Sequence, residues 1–396
     1  MEINDRVKST AVVAARVILG CVFIFSGYVK AVDPLGSTYK IEDYFAAMGL
    51  DFLAPVALVA GILLAAFEFM LGVCLLLGAN IKTTSILAML MMAFMTPLTL
   101  WIAIVDPVTD CGCFGDALVI SNWQTFWKNI VISALVILVF LWRKHSPKLF
   151  SQRTEWIIAI CALFYSVCVS IYCYVNLPII DFRPYKNGTN IPQSMIIPDD
   201  AEQTVYETKL IYEKDGKKQK FTLNDYPKDD PSWKFVDQEN TLIKQGYEPP
   251  IHDFTMEHPD DGDIVEEVLA DTGYTFFLVA YDVSKALTNK RKEINDIYQY
   301  ARQNGYGFYC LTTTGLETKE MQEYKIESGG VEYPFVNTDE KQLKTMVRSN
   351  PGLVLIKNGV VVNKWSNKNM PVFTEPLENS PRGQVQEPND KRVILL

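Results

Sequence analysis

The sequence is short of histidine and has no excess of positive charge. Only three histidines occur in 396 residues, and none stands near a cysteine pair, so a structural zinc site of the Cys/His type lacks a ligand set. Aspartate and glutamate outnumber lysine and arginine by 46 to 37, giving a net charge of −9. No basic stripe or RNA-binding motif offsets this, which excludes nucleic acid as a partner. A glycine-rich nucleotide loop, a haem-attaching Cys-x-x-Cys-His and a zinc-protease helix are all missing, and the sequence names no cofactor. Eight cysteines, at 21, 74, 111, 113, 161, 168, 173 and 310, make no disulfide framework because most lie in apolar runs.

Long apolar runs are what the chain has in quantity, all within its first 176 residues. About 20 apolar residues are needed to cross a hydrocarbon core of roughly 30 Å. Segments 10–32, 53–78, 83–105, 122–142 and 156–176 qualify. The first is too long for a cleavable signal peptide, and no A-x-A-like site follows it. Short loops give the orientation. Arg6 and Lys8 precede the first span, Lys82 follows the second, and "RKHSPKLFSQR" (143–153) carries four basic residues. Opposite them, the loop 33–52 has one lysine against four acidic residues, and 106–121 has none. These counts place the N-terminus in the cytoplasm of a bacterial cell and everything after 176, with the loop 106–121, in the periplasm. The chain is thus expected in the inner membrane, with the lipid bilayer as its first partner.

"VDPVTDCGCFGDALVIS" (105–121) is the loop that carries chemistry. Cys111 and Cys113 can bridge only if the chain bends, and Gly112 makes the bend easy. Such a ring is expected to be strained and oxidising. The flanking aspartates are expected to raise both thiols, so fast exchange needs a local cation or a helix N-terminus. Redox exchange, a structural bridge, capture of a soft metal ion and idle thiols all stay open as readings of the pair. Glu68 stands inside a span, where an ionisable side chain suggests function. Counted from the same membrane face, Arg16 and Glu68 lie roughly 9 and 15 Å deep at 1.5 Å per residue, and are expected to pair. That pair either fixes two helices or handles a proton or ligand. The methionines of "MLMMAFM" (89–95) read as packing.

Beyond the spans, a proline-rich connector leads to "TVYETKLIYEKDGKKQKFTL", which predicts a hairpin on a Lys-Asp-Gly turn. "NGT" at 187–189 marks an exposed loop. From about 250 the pattern predicts strand, helix, strand, helix and a final hairpin: "YTFFLVAYDV" is a buried strand, "KALTNKRKEINDIYQYARQN" a helix, "YGFYCLTTT" a second strand, "DEKQLKTMVRS" a short helix and "NPGLVLIKNGVVVNKWS" an Asn-Gly hairpin. Cys310 falls inside the second strand as a small buried hydrophobe.

Two resemblances add to this reading. "ARVILGCVFIFSGYVKAVDP", "FEFMLGVCLLLG" and "DCGCFGD" together resemble the DoxX-like membrane proteins, in particular the branch shared with MauE, over residues 10–142. The resemblance implies a four-helix core. That branch is associated with maturation of a disulfide-rich periplasmic methylamine dehydrogenase. Residues 250–370, opening with "PPIHDFTM", resemble extracytoplasmic thioredoxin-like domains. Where that family has Cys-x-x-Cys, this chain reads Leu287 to Lys290, "LTNK", without a cysteine. The family's cis-proline corresponds to Pro351.

The expected organisation is a four-span domain (1–145), a fifth transmembrane helix (146–176), a connector with a β-hairpin (177–249), a thioredoxin-like α/β domain (250–372) and a tail (373–396). The expected function is support of the maturation or thiol–disulfide state of exported proteins. Cys111 and Cys113 would exchange, and a redox-silent binding domain would present a periplasmic or membrane protein partner. The rival expectation is a non-catalytic scaffold that holds lipid or partner helices while its exported domain docks a protein.

Overall fold

The computed structural model describes residues 4–379 apart from 109, 203, 204, 215, 223, 224, 229, 231, 245, 253 and 332. The tail expected at 373–396 is therefore described only to residue 379, and Asp215 of the hairpin turn lies outside the described residues. Five helical segments are long and apolar enough to cross a membrane: Asp5–Val32, Asp51–Leu77, Ile81–Val105, Asn122–His145 and Gln152–Val175. They are followed by an α/β region, so the chain is a helical membrane bundle joined to an α/β domain.

Local chemistry sets the helix ends. Asn4 caps α1 (Asp5–Val32) by accepting from the Arg6 amide. The chain then turns at once into α2 (Pro34–Ala47), where sequence reading expects a loop. Asp33 caps this helix by accepting from the Gly36 amide, and Pro34 occupies its first turn, a position that suits proline's fixed φ. A 3-10 turn, Asp51–Val56, leads into α3 (Ala57–Leu77), which ends at Gly78 with φ +72°. Next come α4 (Ile81–Val105), α5 (Asn122–Trp142), opened by a Ser121/Gln124 capping box, and α6 (Gln152–Val175), capped by Ser151.

The α1–α3 pair is the tightest in the bundle, because glycines let two backbones touch. A Cβ on Gly27 would lie 2.4 Å from the Phe69 amide nitrogen, one on Gly72 would lie 2.4 Å from that of Ile24, and one on Gly20 would lie 2.8 Å from that of Leu76. Small residues serve this close approach in membranes, where burial from water gives no drive. The contacts also fix an antiparallel register: 20 faces 76, 24 faces 72 and 27 faces 69.

After the bundle, α7 (Ile191–Met195) precedes a three-stranded sheet of β1 (Val205–Lys214), β2 (Lys217–Thr222) and β3 (Lys234–Lys244), in the order β2-β1-β3. The expected hairpin is β1 with β2, and β3 lies along the other side of β1. The α/β domain then runs through β4 (Glu257–His258), β5 (Gly262–Asp263), α8 (Val265–Ala270), β6 (Tyr274–Val279), α9 (Arg291–Asn304), β7 (Gly307–Thr312), α10 (Lys319–Glu327), β8 (Phe335–Asn337), α11 (Glu340–Met346), β9 (Gly352–Lys357) and β10 (Val360–Ser366). Its sheet order is β10-β9-β6-β7-β8-β4-β5. β6, β7 and β8 are mutually parallel, and β9 runs antiparallel to β6.

Alternate residues of the central strands serve opposite faces. Phe276, Leu278, Cys310 and Leu355 join one core, while Phe277, Val279, Val354 and Ile356 join the other with Leu343 and Met346 of α11. The pair α10 and β8 is additional to the sequence pattern. Residues 185–191, expected as connector, pack into the α/β body: Tyr185 and Ile191 are fully buried, and the Gly188 and Ile191 amides donate to the carbonyls of Val361 and Gly359.

Candidate thiol site at one end of the bundle

The loop between α4 and α5 is held at its base before it carries any chemistry. Asn122, the first residue of α5, donates through Nδ2 to Asp106 Oδ1 (2.7 Å) and to the Val108 carbonyl (2.8 Å). Further on, Asp110 accepts from the Gly112 amide at 2.8 Å and takes Lys40 Nζ of α2 at 2.6 Å. Gly112 sits at φ +66°, and a Cβ there would press on Lys40 Cγ at 3.0 Å. Backbone conformation and lack of space together require glycine. The Gly115 amide closes the turn on the Gly112 carbonyl at 3.1 Å.

This turn brings Cys111 and Cys113 together, with their Sγ atoms 2.7 Å apart as free thiols. Tyr44 of α2 donates to the Cys111 carbonyl at 2.6 Å. The Cys113 carbonyl is held from below: Lys30 Nζ donates to it at 2.6 Å, and Ser26 Oγ lies 2.7 Å away. Both side chains also meet Glu68 Oε2 of α3 at 2.7 Å, and all three are buried. Phe114 is buried against Phe25, with ring centroids 5.5 Å apart, and Lys128 of α5 places its ammonium 4.2 Å from the centroid of the Phe114 ring.

The two thiols are electrostatically unequal. The close contact with the Cys111 thiol pulls the Cys113 pKa down; burial opposes this, and Lys128 and Lys30 reinforce it. The same contact, seconded by burial, pushes Cys111 up. The expectation that the flanking aspartates raise both thiols is therefore corrected for Cys113. Asp110 and Asp116 are each taken by a cation, Lys40 and Arg348.

Arg348 comes from the α/β domain, between α11 and β9. Its guanidinium is buried and forks onto Asp33, with Nε 3.0 Å from Oδ1 and Nη2 2.8 Å from Oδ2; Nη2 also reaches Asp116 at 3.1 Å. Burial works against that charge, but the two carboxylates outweigh it and raise the Arg348 pKa. Beside it, the hydroxyls of Tyr39 (α2) and Tyr281 lie 3.2 Å apart, and Lys344 stands over the Tyr39 ring. Between α2, the cysteine loop and α11 lies a cleft of about 340 Å³, lined by residues that include Tyr39, Lys40, Gly112, Asp116, Lys344 and Arg348.

The remaining sequence-selected residues fall as follows. Asn350–Pro351 is a cis peptide bond, three residues beyond Arg348. Leu287 lies beside it, its amide donating to the Asn350 carbonyl at 3.1 Å, and Lys290 pairs with Glu293 at 2.7 Å at the start of α9. Arg16 and Glu68 do not form the expected pair. Arg16 donates through Nε to the Leu75 carbonyl (3.0 Å) and through Nη1 to Ser146 Oγ (2.6 Å), so it caps the end of α3, while Glu68 takes Lys30. The α1–α3 register explains the correction: opposite residues sum to about 96, which sets Glu68 across from residue 28, some 12 positions or roughly 18 Å along the axis from Arg16.

Sequence reading missed Lys30, Ser26, Tyr44, Lys128 and Arg348. Lys30 was the most detectable, as an ionisable residue in the last turn of a span.

Two family models match the chain. The model described as methylamine utilisation protein MauE matches residues 8–143, which takes in α1 to α5. A domain of unknown function, DUF8463, matches residues 206–245, the three-stranded sheet. No curated protein and no solved structure matches the chain significantly. The membrane region of this chain, with the cysteine loop and its partners from α1, α2, α3 and α5, is MauE-like.

Proposed function

We propose that this chain is a membrane-bound thiol–disulfide exchange factor that supports the maturation of exported proteins. Cys111 and Cys113 are the exchanging pair, and the α/β domain is a redox-silent element that binds the partner protein. One observation carries the proposal: side chains from α1, α2 and α5 hold a two-cysteine turn in which the thiols touch, Glu68 of α3 backs Lys30, and Arg348 of the α/β domain holds Asp116 of the same loop. A loop needed only as a connection would not require that investment.

The basic-residue asymmetry of the loops supports a cytoplasmic N-terminus, with the cysteine loop and the α/β domain in the periplasm, where disulfides persist. The α/β domain reads as thioredoxin-like. A β6–α9–β7 unit, an antiparallel β9–β10 hairpin and a cis-proline before β9 support that reading, and "LTNK" in place of Cys-x-x-Cys makes the domain silent. Its one cysteine, Cys310, is fully buried with a raised pKa and is unfit for exchange. The association of the MauE branch with maturation of a disulfide-rich enzyme points the same way.

A second reading, the non-catalytic scaffold, draws on the same clamps: a loop tied at Asp106, Asp110, Asp116 and Cys113 can also be a rigid docking platform. The redox state of the pair in intact cells separates the two. Acid quenching followed by thiol labelling should find both oxidised and reduced pairs, and the Cys111→Ser/Cys113→Ser variant should lose its support of exported disulfide proteins. A pair locked in one state, with the double variant fully functional, would establish the scaffold.

A further inference from the structure

We infer that the cleft where the chain leaves α6 is a site for a phosphate group, held by Arg183, Lys186 and Lys364 at the surface of the bilayer.

The cleft follows directly on a membrane span. Helix α6 is long and apolar enough to cross a membrane, and it ends at Val175. Asn176 Oδ1 accepts from Asn369 Nδ2 at 2.9 Å, which ties the α/β domain to the end of the span. Beside this tie lies a cleft of about 470 Å³, whose lining includes the apolar Ile179 and Ile180 and the charged Asp181, Arg183, Lys186 and Lys364. Ile179 and Ile180 are exposed, as are Tyr172 and Tyr174 in the last turn of α6. Exposed aromatic and apolar side chains at the end of a span mark the depth of the lipid headgroups.

The charges that line the cleft do not balance. Three cations share one carboxylate. Asp181 takes Arg183, with Nε 2.7 Å from Oδ1 and Nη2 3.1 Å from Oδ2, and it takes Lys364 as well. Lys186 is exposed and makes no ion pair among the described residues. The side chains of Arg183 and Lys364 are only 2% and 5% exposed, so water does little to disperse the excess. The neighbouring carboxylates, Asp33 and Asp116, are spent on Arg348. Burial and the Arg183 charge pull Lys364 down to about 8 in spite of Asp181, and Arg348 adds to the pull. A further anion is what this cluster lacks.

Donors are left over too. A guanidinium has five N–H groups and an ammonium three. Arg183 spends three, two on Asp181 and one on the Thr345 carbonyl, and Lys364 spends two, on Asp181 and the Met346 carbonyl. Among the described residues, two N–H groups of Arg183 and one of Lys364 are thus without an acceptor, beside the ammonium of Lys186. Buried donors require acceptors, and a phosphate supplies several oxygens together with the missing negative charge. At this depth the abundant source of that group is a phospholipid headgroup, and inorganic phosphate is the other.

The test uses the full-length chain, delipidated in detergent, with thermal unfolding and native mass spectrometry as readouts. Phosphatidylglycerol should raise the unfolding temperature and remain as one bound copy per chain. Diacylglycerol with the same acyl chains, which lacks the phosphate, should do neither. Lys186→Gln should weaken lipid binding about fivefold, the effect of one cation at a bilayer surface, and the buried Lys364→Met about tenfold, while Lys364→Arg keeps the parent's affinity. Lys186 is exposed, so its variant decides the matter if Lys364→Met does not fold. Inorganic phosphate that protects as well as the lipid at equal concentration would support the site and assign its source to the aqueous phase. The inference is overturned if diacylglycerol matches phosphatidylglycerol, if neither source of phosphate binds, or if Lys186→Gln keeps the parent's affinity.

Discussion

Arg348→Ala tests the joint between the α/β domain and the membrane region. The Arg348 guanidinium forks onto Asp33, whose side chain is 16% exposed, and reaches Asp116, whose side chain is 41% exposed. Removing one partner of a buried pair costs about 3–5 kcal/mol, because the other charge is stranded. The more exposed Asp116 contact is screened and adds less than about 1 kcal/mol. Taking the low end, about 3 kcal/mol, docking should weaken about 150-fold, at 1.4 kcal/mol per tenfold. Amide hydrogen exchange on the full chain in nanodiscs reads this directly. Residues 34–47 and 110–117 should lose protection, while β6, β7 and β9 keep theirs. The double variant Arg348→Ala/Asp33→Asn should recover part of the loss, since it no longer leaves an unpaired carboxylate. If α2 and the cysteine loop exchange as in the parent, the Arg348–Asp33 contact does not hold the α/β domain against the membrane region.

Other outcomes follow from the same geometry. Burial pushes Asp33 up, but Arg348 outweighs it and leaves the pKa below the usual value of about 3.9, so the docking stabilisation from Asp33 is complete above that pH and is lost only as the pH falls through the lower docked value. Asp116, raised by burial, contributes in the opposite sense, and exchange protection of α2 should therefore persist from pH 8 to about pH 5. Arg16→Ala should lower the thermal stability of the detergent-solubilised protein by about 3 kcal/mol as the α3 carbonyls and Ser146 lose their donor, and adding Glu68→Gln should give an additive loss rather than a rescue. Reporter fusions at 116 and 200 should behave as periplasmic and those at 80–82 and 146–150 as cytoplasmic; a cytoplasmic signal at 116 would remove the compartment argument. A Cys111→Ser/Cys113→Ser protein should show no disulfide exchange, because Cys310 is fully buried; residual exchange that disappears with Cys310→Ala would contradict this.

Much of the fold was legible because hydropathy and period are local signals. The five spans and the strands β6, β7, β9 and β10 lie where apolar runs and the Asn-Gly turn put them. Helix α2 was lost for the opposite reason: the side chains that meet the cysteine loop and the α/β domain, Lys40, Tyr44 and Tyr39, read as polar, and charge counting treated 33–52 as a loop. The cysteine pair was legible from spacing alone. Its surroundings were not, because they are assembled by helix register, and depth counted from one membrane face ignores the glycine contacts that fix that register. Hence Glu68 was given Arg16 when Lys30 was its neighbour. Arg348 could not be found by any local rule, since its partners are 315 and 232 residues away.

The cluster where the chain leaves the bundle has a consequence for that joint. Asp181, six residues beyond the end of α6, is held by Arg183 and Lys364; Arg183 Nη1 also donates to the Thr345 carbonyl and Lys364 Nζ to that of Met346, at the end of α11. The leash between the last membrane helix and the Arg348 turn is thereby only a few residues long. Tethering of this kind turns association into an intramolecular event, with an effective concentration in the millimolar range for a short linker. A soluble copy of the α/β domain, or any free protein that competes for Asp33 and Asp116, must overcome that local concentration, so dilution in the surrounding compartment does not release the α/β domain. Lengthening the leash would.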